Sequence, residues 1–262
     1  MKKIVLFTIL CFIVSCNDTK EKTSKKKCLS EKIDAAFIEE YLVVTDSCKT
    51  LNGYNSVSYY SNNELIMRGY SERNFKQGEW SFYNAKEEIT KGLFKDSQPI
   101  GEWKFADIGN VSWKNYQDLE KGYKFSFPKE WESSAFVDGN MIGVSNSSNQ
   151  SEQDFFVSIT SGKIDELDLS LEEYIKNLHS TLKESKKIEN FKNKRIDVEG
   201  LKDAYEFKFD TKNMGVSLST SELIYISSDK IHVISIIIRN GSSYDYSIVK
   251  EIIMTSFKVS ND

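Results

Sequence analysis

A repeat of 23 residues constrains this chain more than any other feature. Gly69 and Gly92, Gly78 and Gly101, Trp80 and Trp103, and Phe82 and Phe105 all share that spacing of 23. One further step back sets Val57-Ser58-Tyr59-Tyr60 under Trp80 to Tyr83, a decayed first copy. Repeats of this period mark stacked supersecondary units, each burying its apolar face against a neighbour. Trp80 and Phe82, like Trp103 and Phe105, alternate with polar residues, the period-2 pattern of a half-buried strand. Gly78 and Gly101 stand where a turn or a close backbone approach is needed. The repeat therefore predicts stacked β-hairpins over residues 53–107, with Trp80 and Trp103 as core residues rather than ligand contacts.

The pattern of an aromatic beside Gly, a polar stretch, then Gly-x-Trp-x-aromatic resembles MORN-like repeats in their bacterial, antitoxin-type variant. Gly69-Tyr70 through Tyr83 and Gly92 through Phe105 carry it. The resemblance implies a hairpin-repeat module that binds proteins or lipids in some families, and it brings an immunity- or antitoxin-like binder as one functional reading.

The first sixteen residues address the compartment. Met1-Lys2-Lys3 is a basic start, and Ile4 to Val14 is an apolar run. That run is shorter than the roughly 20 residues a permanent span needs, but it suits a signal peptide. Ile13-Val14-Ser15-Cys16 resembles the lipobox of bacterial lipoproteins. The resemblance implies cleavage before Cys16 (signal peptide 1–15), diacylglycerol on its thiol and an acylated amino terminus, such as a palmitate chain supplies. Several acyl chains anchor stably where one does not. Residues 16–29, with the Lys25-Lys26-Lys27 run, read as a polar tether. Asn17-Asp18 resembles the polar start of surface-exported lipoproteins, although an Asp there can also retain a lipoprotein at the inner membrane. The expected location is the cell envelope, lipid-anchored at the outer membrane. Cys28 and Cys48 remain after processing, in a compartment where disulfides persist, and can close a short loop at the tether's end.

Residues 30–110 are expected to form the repeat domain and residues 113–262 a second one. In the second, Tyr123 to Pro128 reads as a strand with Phe125 and Phe127 on one face. Ser170-Leu-Glu-Glu173 is a capping box opening a helix that carries Tyr174, Ile175, Leu178 and Leu182. Ile231 to Arg239 is apolar on both faces, which predicts a central strand covered on each side. Ser242 and Asp245 are expected to cap a last helix carrying Ile248, Val249, Ile252 and Ile253. The expected class is α+β: an N-terminal β-hairpin repeat (MORN-like) module plus a C-terminal antiparallel-sheet α/β sandwich. Tyr123-Lys-Phe-Ser-Phe-Pro-Lys-Glu-Trp131, the middle helix, the turn at Gly200 and the closing helix resemble the Mog1/PsbP-like fold. That resemblance implies a mostly non-catalytic domain and carries over no functional residue.

Composition removes further classes. The formal charge of −4, from 35 basic and 39 acidic residues, lacks the basic excess of a nucleic-acid binder. With 16 Phe, 13 Tyr and 4 Trp the chain can bury a real core, which excludes global disorder. Two histidines leave little material for metal or His-based sites. His179 flanks its helix stripe and is expected in solvent, and His232 at the polar margin of its strand face. Asp165-Glu166-Asp168 and Glu172-Glu173 lie where a helix dipole favours them. No phosphate loop, Gly-x-Ser-x-Gly or Cys-x-x-Cys occurs. No catalytic, metal or cofactor residue is expected, and no enzyme. The expected function is a non-catalytic protein-binding or scaffold lipoprotein with an envelope protein partner; the alternatives are the immunity-like binder and a hydrolase whose site spacing does not reveal.

Overall fold

The computed structural model describes residues 29–33, 41–73, 75–84, 87–135, 141–149, 152–164, 170–185, 187–198, 201–213, 215–227 and 230–259. Seven strands form the first sheet in chain order, each antiparallel to the next: β1 (Leu29–Ile33), β2 (Tyr41–Leu51), β3 (Tyr54–Ser61), β4 (Glu64–Glu72), β5 (Phe75–Asn84), β6 (Glu87–Lys95) and β7 (Gln98–Ile100). Three of its turns are two-residue turns in which both residues have positive φ: Asn52-Gly53, Asn62-Asn63 and Asp96-Ser97. Such turns match the right-handed twist of the strands they join.

The second sheet has the order β18-β10-β9-β8, from β8 (Glu102–Phe105), β9 (Gly109–Asp118), β10 (Tyr123–Pro128) and β18 (Lys258–Val259). The third has seven strands: β11 (Glu132–Ala135), β12 (Met141–Ser145), β13 (Phe155–Lys163), β14 (Ile188–Val198), β15 (Leu201–Asn213), β16 (Val216–Ser227) and β17 (Lys230–Arg239). Their order is β11-β12-β13-β17-β16-β15-β14, so β17 is the middle strand, as its two apolar faces require. The two helices are α1 (Leu171–Glu184), opened by the Ser170–Glu173 capping box, and α2 (Ser247–Ser256).

Packing explains the repeat. Gly69 and Gly92 are the points where an indole lies on the backbone: a Cβ at Gly69 would come within 2.3 Å of the Trp80 ring, and one at Gly92 within 1.9 Å of the Trp103 ring. Trp80 and Trp103 are buried, and each indole N–H donates to a backbone carbonyl, of Tyr70 at 2.9 Å and Ile100 at 3.0 Å. Phe94 meets both indoles edge-on, the geometry that ring quadrupoles favour. The core then continues without a break. Val57, Met67 and Phe82 belong to the same buried cluster as Phe125, Phe127, Val157, Ile234, Val249, Ile252 and Ile253. On the other face of the third sheet, Ile175 of α1 packs with Phe207, Ile224 and Ile231.

Three expectations are corrected by the structure. The class is not α+β: among the described residues the chain is largely β, with eighteen strands and two helices. Long alternating segments such as 188–198 and 201–213 pair as strands, and helices are confined to residues 171–184 and 247–256. Nor is there a MORN-like module of stacked hairpins. The strands of the first two copies lie side by side in one continuous sheet, and the third copy leaves it partway, after β7. At Gly101, φ +76, the chain turns, and the backbone of β8 pairs with β9 instead of following β7. The last helix also starts later than its expected caps: Asp245 accepts only the Ser247 N–H at 2.9 Å, while the Ser242 hydroxyl donates to Asp154.

Because the indole leaves room only for hydrogen, Gly92→Ala should cost at least about 3 kcal/mol. Gly78→Ala, whose Cβ meets nothing within 4 Å but whose φ is +64, should cost only about 1–2 kcal/mol. Urea denaturation of both variants checks the order; equal costs would mean that the indole contact does not set the glycine.

Candidate binding cleft

Between the first turns of α2 and the ends of β3–β6 lies a cleft of about 330 Å³. Ile66, Met67, Phe82, Ile89 and Ile248 supply its apolar lining. Ser61, Asn84, Asp245 and Ser247 supply polar groups, together with Tyr83, Lys250 and Glu251. The inward alternation of β4 and β5 brings Met67 and Phe82 here, since the two pair directly across the strands. The Arg68 guanidinium lies 5.5 Å from the centre of the Tyr83 ring, within cation–π range.

Charges run through the seam beneath the cleft. Lys76 of β5 reaches Glu251 of α2 at 3.5 Å, and both side chains are buried. The Lys76 ammonium also stands 5.0 Å from the Trp80 ring. Burial pulls the Lys76 pKa down, against the pull of the Glu251 charge. Burial pushes the Glu251 carboxyl up, with Lys76 opposing it most. Burial raises the Tyr59 phenol to about 12, with the Glu251 charge acting the same way. Lys250 donates to the Ser221 hydroxyl at 2.6 Å; burial lowers it to about 8, and the Lys208 charge adds to that. Glu206 of β15 takes Lys208 at 3.0 Å and Lys194 at 3.7 Å.

The residues singled out by sequence fall elsewhere. Cys16 and Cys28 lie outside the described residues, as do residues 165–169; Cys48 falls in β2, its side chain outside the description. Glu172 and Glu173 occupy the first turn of α1, where Ser170 hydrogen bonds hold the Glu173 pKa down. His179 is half-buried and meets Phe191 edge-on at 5.3 Å, rather than standing in solvent. His232 is not at a polar margin but fully buried: its Nδ1 is 2.7 Å from Ser161 Oγ, and Tyr225 stacks on it at 5.0 Å. Its neighbours along the strand face, Ile234 and Ile236, are core residues, and the face stays closed as far as His232. Sequence reasoning missed Lys76, Lys250 and Glu251. The signals were there: Lys76 shares the inward period of Trp80 and Phe82, and Glu251 interrupts the apolar run Ile248 to Met254.

Among the described residues no group of three or more His, Cys, Asp and Glu side chains could hold a metal ion, and no helix is long and apolar enough to cross a membrane.

Fold and cleft define a β-rich domain with a helix on each face of its central sheet and an amphipathic seam along one of them. The PsbP family model matches residues 112–259, more than half of the chain, and the chain belongs to that family. Solved structures resemble it more distantly. Cyanobacterial PsbP from Synechocystis sp. PCC 6803 is 16% identical with a TM-score of 0.40, the match covering 58% of this chain and 95% of that one. LpqN of Mycobacterium tuberculosis, described as involved in cell envelope biogenesis, is 9% identical with a TM-score of 0.37, over 58% and 92%. A Bacteroides thetaiotaomicron structure is 10% identical with a TM-score of 0.39; the match takes in 57% of this chain and about half, 49%, of that one. No curated protein matches the chain.

Two outcomes test the buried charges. Lys76→Met leaves Glu251 buried without its partner and should cost about 3–5 kcal/mol, most of it recovered in the double variant Lys76→Met/Glu251→Leu; a double variant as unstable as the single would show that the pair is not the unit. Burial first, and the Lys230 charge second, hold the His232 imidazole down at about 4. An unfolded histidine titrates near 6.5, so between those values the unfolded chain binds the extra proton and stability falls as pH drops. The loss from about pH 6.5 to about pH 4 should reach ~3 kcal/mol. Denaturation midpoints across that range should flatten in His232→Phe; an unchanged slope would assign the acid sensitivity to other groups.

Proposed function

We propose that this protein is a non-catalytic binding module of the cell envelope, tethered to the outer membrane through a lipidated Cys16, and that it captures an envelope protein at the cleft between α2 and β3–β6. The observation that carries this reading is the cleft itself. Its apolar lining from Ile66, Met67, Phe82 and Ile248 sits among polar and charged groups, which is the make-up of a recognition site rather than of a gap in packing. The PsbP family supports a binding role over an enzymatic one. So does the burial of the Ser161–His232 pair: Ser161 is 5% and His232 0% exposed, so a substrate carbonyl has no path to that hydroxyl. Residues 16–29 then serve as the polar tether that holds the folded part off the membrane.

Crosslinking in intact envelopes followed by pull-down of the tagged protein tests this. The native protein should capture a discrete partner, and Ile66→Glu or Ile248→Glu, on opposite walls of the cleft, should each lose it while the protein stays folded. Cys16→Ser should leave an unlipidated form that no longer fractionates with membranes. Capture undiminished in both wall variants would refute the cleft as the docking site, and membrane fractionation of Cys16→Ser would refute the anchor.

A further inference from the structure

The lining of the cleft specifies more than an apolar partner. α2 begins in it, with Ser247 and Ile248 among the lining residues. The helix has no side-chain N-cap and no acidic residue in its first turn. Asp245 takes the Ser247 amide, no side chain caps the Ile248 amide, and the positive end of the helix dipole adjoins the cleft. One turn on, the Lys250 side chain is half-buried; its ammonium donates to Ser221, and the Glu206 and Glu251 charges act on it without a direct ion pair among the described residues. Two of its three donors stay available. The neighbouring acid, Glu251, is already held by Lys76. The Tyr83 hydroxyl is shielded from solvent and has no hydrogen-bond partner among the described residues. Asp245 is exposed to water, which screens its charge at the rim of the cleft.

On the reading that this cleft is the docking site, we propose that it receives the C-terminal end of the partner polypeptide: the terminal carboxylate against the Lys250 ammonium and the first turn of α2, the last side chains against Ile66, Met67, Phe82 and Ile248. A cleft of about 330 Å³ holds roughly two large apolar side chains. Ser61, Asn84 and Ser247 offer partners to the peptide groups that join them, which a bare hydrocarbon chain would leave unmatched. A carboxylate at the end of a peptide can accept from an uncapped amide and an ammonium together by charge-assisted hydrogen bonds, while the chain behind it fills the apolar lining.

The test uses the full chain and an array of hexapeptides randomised over the last three positions, each made as the free acid and as the C-terminal amide, with decanoate as a competitor. Free-acid peptides with apolar ends should bind at least about tenfold more tightly than their amides, as one charge-assisted contact predicts. Lys250→Met should abolish that preference, Lys250→Arg should keep it, and Ile248→Glu should lose acid and amide alike. Equal binding of acids and amides, or a preference that survives Lys250→Met, overturns the carboxylate inference while leaving the cleft as a docking site. Binding unchanged in Ile248→Glu fails the docking site itself. Decanoate bound with no peptide bound overturns the polypeptide C-terminus in favour of a free acyl carboxylate.

Discussion

An indole lying flat on a glycine, used twice at an offset of 23 residues, is the contact on which the rest of the structure depends. Gly69 under Trp80 and Gly92 under Trp103 bring ring and backbone closer than any side chain would permit. Each contact fixes where one strand lies against the next, and a slip of one residue would throw the ring to the opposite face. The aromatic row that results, from Tyr59 through Trp80, Phe82 and Phe94 to Trp103, presents one continuous apolar surface. A sheet with one such face must cover it. Here the cover is α2 together with the strands of the PsbP-family region.

That covering explains why charges are buried at the seam. Lys76 lies on the inward face of β5 and Glu251 on the covered side of α2, and each would be costly alone. Together they admit one placement of the helix on the sheet, since sliding α2 by a turn would leave both unpaired. The Gln98 side chain adds polar contacts across the same seam, donating to the Ser256 carbonyl and accepting from the Ser126 hydroxyl. The apolar core supplies the adhesion, and these polar pairs supply the register. The cleft is what remains open where α2 begins and the strands β3–β6 end.

Much of this was legible in the chain. The paired glycines and tryptophans are visible by spacing, the capping box at Ser170 by its own short pattern, and the central place of β17 by a run with no polar face. What failed has physical causes. The balance of strand and helix was misjudged because strands such as Leu201–Asn213 run well beyond their clearly alternating stretch, Ala204 to Phe209, so the sheets take up more of the chain than their most visible segments show. The fate of the third repeat copy depends on which strand β8 pairs with, a choice made at Gly101 by tertiary competition. His232 was placed at an edge because a strand's alternation tells which face a residue shares, not how far along that face the core extends. The cleft residues escaped because they belong to two segments far apart in the chain, Ser61–Ile89 and Asp245–Glu251, and only the fold joins them.

The divided third copy has a consequence for how such a chain can change in length. Trp103 packs its ring on Gly92 in the first sheet, while its backbone stands opposite Val111 in the second. The carboxyl end of the array is therefore spliced into its neighbour, and loss of a unit there would remove the splice along with it. At the amino end, β1 is the edge strand of the first sheet among the described residues. Gain or loss of a 23-residue unit upstream would leave that splice untouched, so length variants of this architecture should differ upstream of β3 while the stretch from Gly92 to Val111 keeps its spacing.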